Sequence, residues 1–214
     1  MTRRALGIAA VPLAAAAFAT AAPVASAGSQ PIGSPSDGRL VGGVRFPAQG
    51  AHFFTWDFPR DTSPNRPWRR YGTDKLVRTL HRVIGAYALA HPFAARVGVA
   101  DLSRPHGGPF GARYGGLGHA SHQNGLDADV LYPRVDFCEC APYLPPDVDV
   151  AAAQDLVDRF VAAGAQYVFV GPHLPLHGPR GVVIPLVNHD NHMHVRIYWR
   201  RRGAARRPPI SSQW

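Results

Sequence analysis

The chain has 214 residues, a length typical of one domain with short extensions at its ends. Its 23 basic and 14 acidic residues give a formal net charge of +9. The 22 glycines and 21 prolines favour a loop-rich domain and argue against a coiled coil, a collagen-like chain or an all-helical bundle. Glu139 is the only glutamate, so a catalytic base in this protein is expected to be histidine.

The first 27 residues have the layout of a secretory signal peptide. Arg3 and Arg4 precede the apolar stretch Ala5–Ala22, and Ala25–Ala27 forms a small-residue cleavage pattern. Pro12 interrupts the apolar run, which disfavours a membrane-spanning helix, and a twin-arginine export signal remains an alternative. We therefore predict a secreted, extracytoplasmic protein. No later stretch reaches the ~18 apolar residues that a membrane helix needs.

The mature chain begins with a Gly/Ser/Pro-rich segment, 28–38, which is typical of a flexible linker. Residues 39–199 form the predicted domain, and its aromatic, proline-punctuated part 39–72 is expected to wrap around the rest. Thr73 is a good N-cap for the first helix, whose apolar residues follow helical spacing until Pro92 ends it.

The remaining elements alternate between strands and one helix. We predict strands at 97–102, 126–132, 167–170, 181–186 and 193–199 and a second helix at 148–163. This order predicts an α+β fold, with a small, mainly antiparallel sheet flanked by helices. Residues 200–214 are expected to be an Arg-rich tail. Cys138 and Cys140 favour a local disulfide or free thiols over a zinc half-site.

Histidines crowd two short segments, 118–129 and 188–196. Alternate residues of a strand share a face, so Asp127 and Asp129 point the same way, and His192, His194 and Arg196 form a second polar stripe. If the two strands are adjacent, the stripes meet at one surface.

His122, on the turn that contains Gly125, can then complete a set of imidazole and carboxylate groups. Such a set suits zinc. A patch of surface histidines with turn-forming Asp and Asn is the alternative, and the presence of two clusters favours the metal.

These residues also carry a resemblance to known proteins. The pattern Ser121-His122-x-x-Gly125-x-x-x-Asp129, followed by His192-x-His194, resembles the metallopeptidase group of lysostaphin, D-Ala-D-Ala metallopeptidases and Sonic hedgehog. Within that group, the penicillin-insensitive murein endopeptidases are the most similar, on the segments Gly107-Gly108-Pro109-Phe110, Gly118-His119-Ala120-Ser121-His122-Gln123 and His189-x-x-His192-x-His194-Val195-Arg196. The similarity runs from about residue 39 to residue 197.

The resemblance implies a zinc (Zn2+) peptidase with a hedgehog/DD-peptidase-like fold. It implies that the zinc ligands are His122, Asp129 and His194. It also implies that His192 is the catalytic imidazole with His189 beside it, and that His119 and Asp127 are neighbours of the site.

Three polar residues near the implied ligands have open roles. Arg196 could hold a substrate carboxylate or be a solvated strand arginine. Asp190, like Asp127, could orient a ligand imidazole, although an ordinary turn carboxylate is an equal alternative. Ser121 is expected to be a turn hydroxyl and not a nucleophile.

The implied substrate is a peptide cross-link of peptidoglycan, most often the D-Ala to meso-diaminopimelate bond. A D-Ala-D-Ala-type carboxypeptidase with the same metal site and a non-catalytic, zinc-stabilised wall-binding module are the alternatives. Nucleic-acid binding is not expected, because the export signal argues against it. We expect a monomer, whose basic tail could bind anionic wall polymers.

Overall fold

The computed structural model describes residues 28–111 and 119–199, so the predicted export signal and the Arg-rich tail lie outside the described residues. Within these ranges, two α-helices and eleven strands form an α+β fold, as the sequence predicted. The helices are α1 (Asp74–Ala90) and α2 (Val150–Ala162). The strands are β1 (Gln30–Gly33), β2 (Gly38–Val41), β3 (Val44–Arg45), β4 (Gln49–Gly50), β5 (Phe53–Thr55), β6 (Tyr71–Gly72), β7 (Val97–Val99), β8 (Asp127–Leu131), β9 (Ala165–Val170), β10 (Val183–Pro185) and β11 (His192–Ile197).

Seven strands form the central sheet, in the order β10-β9-β11-β8-β7-β5-β4. Among these described strands, β9–β10 and β5–β7 pair in parallel and the other four neighbouring pairs are antiparallel. The apolar faces of both helices pack with the sheet in one core, whose largest fully buried apolar side chains include Tyr87, Tyr132, Phe160, Leu80 and Leu156. The prediction of a mainly antiparallel sheet is confirmed by the four antiparallel pairs among these strands.

Side-chain caps explain where the helices begin. Thr73 Oγ1 accepts a hydrogen bond from the backbone N–H of Leu76 at 3.2 Å, as expected for an N-cap. Asp149 caps α2 in the same way, through the N–H of Ala152 at 3.0 Å. The second helix therefore starts two residues later than the sequence suggested. It ends at Ala162, and Gly164, just beyond the C-cap residue Ala163, has a φ of +81°.

The pairing of β8 with β11 joins the two polar stripes. His194 lies opposite Asp129, and Arg196 lies opposite Asp127, in an antiparallel register. The intervening Met193 and Val195 are completely buried in the core. The predicted alternation is confirmed, because one face of each strand packs in the core and the other presents polar groups.

The segment expected to be a linker forms a β-hairpin instead. Strand β1 pairs with β2, from Gln30 opposite Val41 to Gly33 opposite Gly38. Ser29 Oγ, just before the hairpin, donates a hydrogen bond to Asp74 Oδ1 at 2.6 Å and so joins it to α1. The Gly, Ser and Pro residues that indicated a linker lie in and around the turn of this hairpin.

Part of the segment expected to wrap the domain is also built into the sheet. Strand β5 lies between β4 and β7, and its residues Phe53 and Phe54 are buried. A strand of three residues is too short for a recognisable alternation.

Cys138 and Cys140 form a disulfide with a Cα–Cα distance of 5.3 Å. None of the described helices has the length and apolar character needed to cross a membrane.

Gly125 lies in the turn before β8, where the surrounding atoms leave little room for a side chain. Its φ is +75°, and a Cβ there would lie 2.9 Å from the Leu40 side chain and 3.0 Å from the Thr73 nitrogen. Gly164 has a similar φ of +81° but no atom within 4 Å of such a Cβ. Gly164→Ala should cost about 1–2 kcal/mol in the free energy of unfolding, from backbone strain alone.

Gly125→Ala should cost roughly 1–3 kcal/mol more than this control, because neighbouring atoms must also move. Urea denaturation of both variants measures the difference. Equal losses would contradict the close packing of Gly125 against Leu40 and Thr73.

Candidate active site

Three potential metal-ligand atoms converge between β8, β11 and the loop before β8. His122 Nε2 lies 3.2 Å from Asp129 Oδ1, and His194 Nδ1 lies 3.1 Å from the same oxygen. The two imidazole nitrogens are themselves 3.2 Å apart. The three atoms form a nearly equilateral triangle, so these residues could hold one metal ion together.

His122 is oriented by the backbone around it. Its φ is +68°, in the left-handed region, and the residue is almost completely buried. Its backbone N–H donates to Asp127 Oδ2 at 3.0 Å, and its Nδ1 donates to the carbonyl oxygen of Leu102 at 2.7 Å. Because Nδ1 carries the proton, Nε2 presents a lone pair to the triangle.

Asp127 supports both imidazoles of the triangle from behind. Besides binding the N–H of His122, its Oδ1 lies 3.3 Å from His194 Nε2. Arg196 Nε donates to the same Oδ1 at 2.6 Å. Burial alone would raise the pKa of Asp127, but His194 and Arg196 outweigh that effect and hold this pKa well below its usual range. Arg196 is thus paired with a buried carboxylate and is not a solvated strand arginine.

Asp129 is a buried carboxylate with unusual surroundings. It is 1% exposed, and neither of its oxygens makes a hydrogen bond within the described part of the chain. Burial alone would raise its pKa, yet the nearby His122 and His192 lower the pKa well below its ordinary value. An ionised carboxylate in the interior without hydrogen bonds is costly unless a cation compensates it.

His119 is the third group that approaches Asp129. Its Nδ1 lies 3.8 Å from Asp129 Oδ2, and its Nε2 lies 2.7 Å from Asp101 Oδ2. His119, His122 and Asp129 offer ligand atoms that all lie within 4.8 Å of one another. His119 is therefore close enough to join a metal site, although the triangle with His194 is tighter.

His192 and His189 lie beside the triangle. His192 Nδ1 lies 2.6 Å from Asn191 Oδ1, so Nδ1 donates and Nε2 keeps its lone pair, 3.7 Å from Asp129 Oδ1. Burial lowers the pKa of His192 to about 4, so this imidazole is neutral at pH 7 and can accept a proton. The ring of His189 lies 4.9 Å from that of His192, and its Nδ1 donates to Val187 O at 2.8 Å.

Other predicted residues have different partners. Asp190 Oδ2 lies 2.7 Å from His173 Nδ1, so it orients this partner and not one of the triangle imidazoles. Ser121 is buried next to His122, in the turn where the sequence placed it. Glu139 binds Arg96 at 2.7 Å.

The triangle and the histidines beside it line one cavity of about 690 Å3, which we call the histidine cleft. Its polar lining residues include His119, His122, Asp129, His189, His192, His194 and Arg196. Apolar walls are provided by Phe58, Phe169, Leu186 and Val187. The volume lies within the range of ligand sites, and an apolar cleft with convergent polar groups is the usual form of an active site.

The sequence analysis missed several residues that shape this cleft. The ring of Phe58 lies 5.4 Å from that of His192, and Asn191 orients the same imidazole. Asp101 and Arg69 lie behind His119. Asp101 carried one usable signal, since it is the only charged residue of the predicted strand 97–102, whereas nothing in the sequence pairs it with Arg69.

The surroundings of His194 predict how the stability of the metal-free protein depends on pH. Burial alone would lower the pKa of His194, but Asp127 and Asp129 outweigh it and raise the pKa to about 9. The folded state thus binds this proton more tightly than the unfolded state, whose histidine pKa is about 6.5. The resulting stability is complete below pH 6.5 and is lost as pH rises through 9.

Urea unfolding of chelator-treated protein at several pH values measures this effect. The stability advantage of the wild type over His194→Gln should shrink as pH rises from 6.5 to 9. The same pH dependence in both proteins would show that His194 is not the group responsible.

The sequence of this chain is similar to those of known proteins. The family model described as penicillin-insensitive murein endopeptidase matches residues 31–143, which is more than half of the chain. Proteins named penicillin-insensitive murein endopeptidase are similar in sequence. The protein from Pectobacterium atrosepticum is 31% identical over 130 residues, covering 59% of this chain and 41% of the relative.

The protein from Yersinia enterocolitica is 27% identical over 200 residues, covering 78% of this chain and 66% of the relative. The protein from Haemophilus influenzae is 33% identical over 102 residues, covering 48% and 31%. The chain thus spans between about a third and two thirds of the length of these curated relatives. With the match of the family model, the chain belongs to the penicillin-insensitive murein endopeptidase family.

Proposed function

We propose that this protein is a zinc-dependent endopeptidase that hydrolyses the peptide cross-links of peptidoglycan. The observation that carries the proposal is the triangle of His122 Nε2, Asp129 Oδ1 and His194 Nδ1, in a member of the penicillin-insensitive murein endopeptidase family. Relatives bear the name of that activity. The assignment of zinc, the bond and the individual residues goes beyond the family membership.

The donor set fits zinc. Zinc binds imidazole and carboxylate ligands at about 2.0–2.2 Å, so two ligands of a tetrahedral site lie roughly 3.3–3.6 Å apart. The three edges of the triangle are 3.1, 3.2 and 3.2 Å. The unpartnered oxygens of Asp129 supply the negative charge that a divalent cation would compensate. Three protein ligands are the number found in catalytic zinc sites, which keep a position open to water.

Zinc held by the triangle would supply an activated water and polarise the scissile carbonyl. His192 Nε2 would accept a proton from the attacking water, because the Asn191 contact at Nδ1 leaves the Nε2 lone pair available. His192 then passes this proton to the leaving amine. His189, whose ring lies beside that of His192, is placed to contact the substrate carbonyl or the leaving group.

The remaining polar residues orient the proposed ligands. Asp127 holds the backbone of His122 and faces His194 Nε2, which leaves His194 Nδ1 free for the metal. Arg196 keeps Asp127 ionised through its hydrogen bond. The apolar walls at Phe58 and Phe169 would bury the aliphatic parts of a peptide cross-link.

The proposed substrate bond joins D-Ala to meso-diaminopimelate in two cross-linked stem peptides. We further propose that residues 1–27 direct export to the wall compartment and that the tail 200–214 contacts anionic wall polymers. Both segments lie outside the described residues. A monomeric enzyme is sufficient for this proposal, since every proposed ligand comes from one chain.

Digestion of purified peptidoglycan by residues 28–214 tests the reaction. Mass spectrometry of the muropeptides should show loss of cross-linked dimers, a chelator should abolish this loss, and added zinc should restore it. Trimming of terminal D-Ala alone would replace the proposal with a carboxypeptidase. An unchanged wall with zinc still bound would replace it with a binding module.

Substitutions separate metal binding from proton transfer. His122→Ala and Asp129→Ala should lose zinc and activity together, because each removes one ligand. His192→Ala should keep its zinc, while kcat falls about 10²–10⁴-fold, the usual contribution of general acid–base catalysis. Zinc content by atomic emission and steady-state kinetics measure the two effects.

His177→Ala is the matched control, since this histidine is exposed and does not line the cleft. It should change neither zinc content nor kcat. A near-normal kcat in His192→Ala would show that another group is the base.

A further inference from the structure

A buried ion pair lies directly behind His119. Arg69 and Asp101 are both completely buried, and Arg69 Nε donates to Asp101 Oδ1 at 2.6 Å while its NH2 group contacts Oδ2. Asn65 Nδ2 also donates to Asp101 Oδ1, at 3.0 Å. Besides His119, three donor groups from Arg69 and Asn65 thus surround this carboxylate. Burying a charged pair is a poor way to gain stability, so its position invites a functional explanation.

The contact with His119 fixes which ring nitrogen faces the triangle. Asp101 Oδ2 lies 2.7 Å from His119 Nε2. Because an ionised carboxylate can only accept hydrogen bonds, Nε2 must carry a hydrogen and donate it. The other nitrogen, Nδ1, is then turned towards Asp129, 3.8 Å from its Oδ2.

The backbone fixes Asp101 relative to Asp129. The N–H of Asp129 donates to Asp101 O at 2.9 Å, and Ala100 N–H donates to Asp129 O at 2.8 Å. The N–H of Leu102 donates to Arg69 O at 2.9 Å, which attaches the Arg69 segment to the same strand end. Both members of the ion pair are therefore held in register with Asp129, and their geometry is transmitted to His119.

We propose that Arg69 and Asp101 are positioning residues, which hold His119 with Nδ1 facing the metal centre and thereby set zinc affinity and turnover. The inference rests on the proposed function, since it takes the triangle of His122, Asp129 and His194 to be that centre. Asp101 acts through His119 and does not touch the substrate. Arg69 acts one step further away, by orienting Asp101.

The chain offers a matched control for an aspartate that bridges an arginine and a histidine. Asp155 Oδ2 lies 2.6 Å from Arg159 Nε and 2.9 Å from His91 Nε2. Asp155 and Arg159 lie in α2, His91 directly follows α1, and none of the three lines the histidine cleft. Asp155→Asn makes the same chemical change as Asp101→Asn, but its histidine partner does not lie at the metal centre.

The test is a double-mutant cycle on zinc affinity. Chelator competition measures zinc binding to the wild type, Asp101→Asn, His119→Ala and the double variant, with circular dichroism as a check of folding. Asp101→Asn and His119→Ala should each weaken zinc binding about 10- to 100-fold, as loss of an outer partner of a metal site does. The double variant should bind zinc as weakly as His119→Ala alone, because Asp101 acts through that ring. Asp155→Asn should match the wild type.

Kinetics supply the second measurement. Asp101→Asn should lower kcat with little change in KM, since the wall substrate is not contacted. The inference would be overturned if the losses of zinc affinity in the two single variants multiplied in the double variant. It would also be overturned if folded Asp101→Asn bound zinc as tightly as the wild type. If Asp101→Asn does not fold, Arg69→Lys replaces it in the same cycle, because lysine keeps the charge and loses the two-pronged contact.

The two proposals fail differently. A wild-type protein that leaves peptidoglycan intact but shows the non-additive zinc cycle would remove the proposed activity and support the role of Asp101. Cleavage of cross-links with an additive cycle would keep the activity and remove the role of Asp101.

Discussion

The antiparallel register of β8 and β11 places His194 opposite Asp129 and Arg196 opposite Asp127. Every part of the site depends on this pairing. Cross-strand neighbours lie about 4.5–5.5 Å apart at their Cβ atoms, close enough for one imidazole and one carboxylate to approach the same point. A slip of one residue would turn the whole polar stripe of one strand into the core. The buried Met193 and Val195 oppose such a slip, so packing of the core also fixes the geometry of the site.

Three buried aspartates lie near the triangle, and each has different partners. Asp101 binds Arg69 and His119, and Asp127 binds Arg196 and the backbone of His122. Asp129 alone has two oxygens without a hydrogen bond in the described part of the chain. The other two carboxylates are each paired with an arginine, whereas the groups that approach Asp129 are the imidazoles of His119, His122, His192 and His194. A divalent cation would be attracted to this point most strongly.

Local patterns predicted much of the fold and the site. The alternation of polar and apolar residues on β8 and β11 has a period of two, which is visible in the sequence, and it gave the shared faces of Asp129 and His194 correctly. The first helix was predicted from the cap at Thr73 for the same reason, since capping is a local interaction. The resemblance of the two histidine motifs to a known family added the ligand assignment.

Features that depend on distant contacts were not predictable. Arg69 and Asp101 are 32 residues apart, and the hairpin of β1 and β2 is attached to α1 through Ser29 and Asp74, which are 45 residues apart. A Gly/Ser/Pro-rich composition describes a linker and a hairpin turn equally well. Only the three-dimensional packing distinguishes these two structures.

The account depends most on one claim, that His122 Nε2, Asp129 Oδ1 and His194 Nδ1 hold the zinc ion together. A crystal structure of the zinc-loaded protein, with anomalous data collected at the zinc edge, tests this claim directly. We predict one strong anomalous peak about 2.0–2.2 Å from all three atoms. A peak held by His119 in place of His194, or a peak elsewhere on the protein, would contradict it.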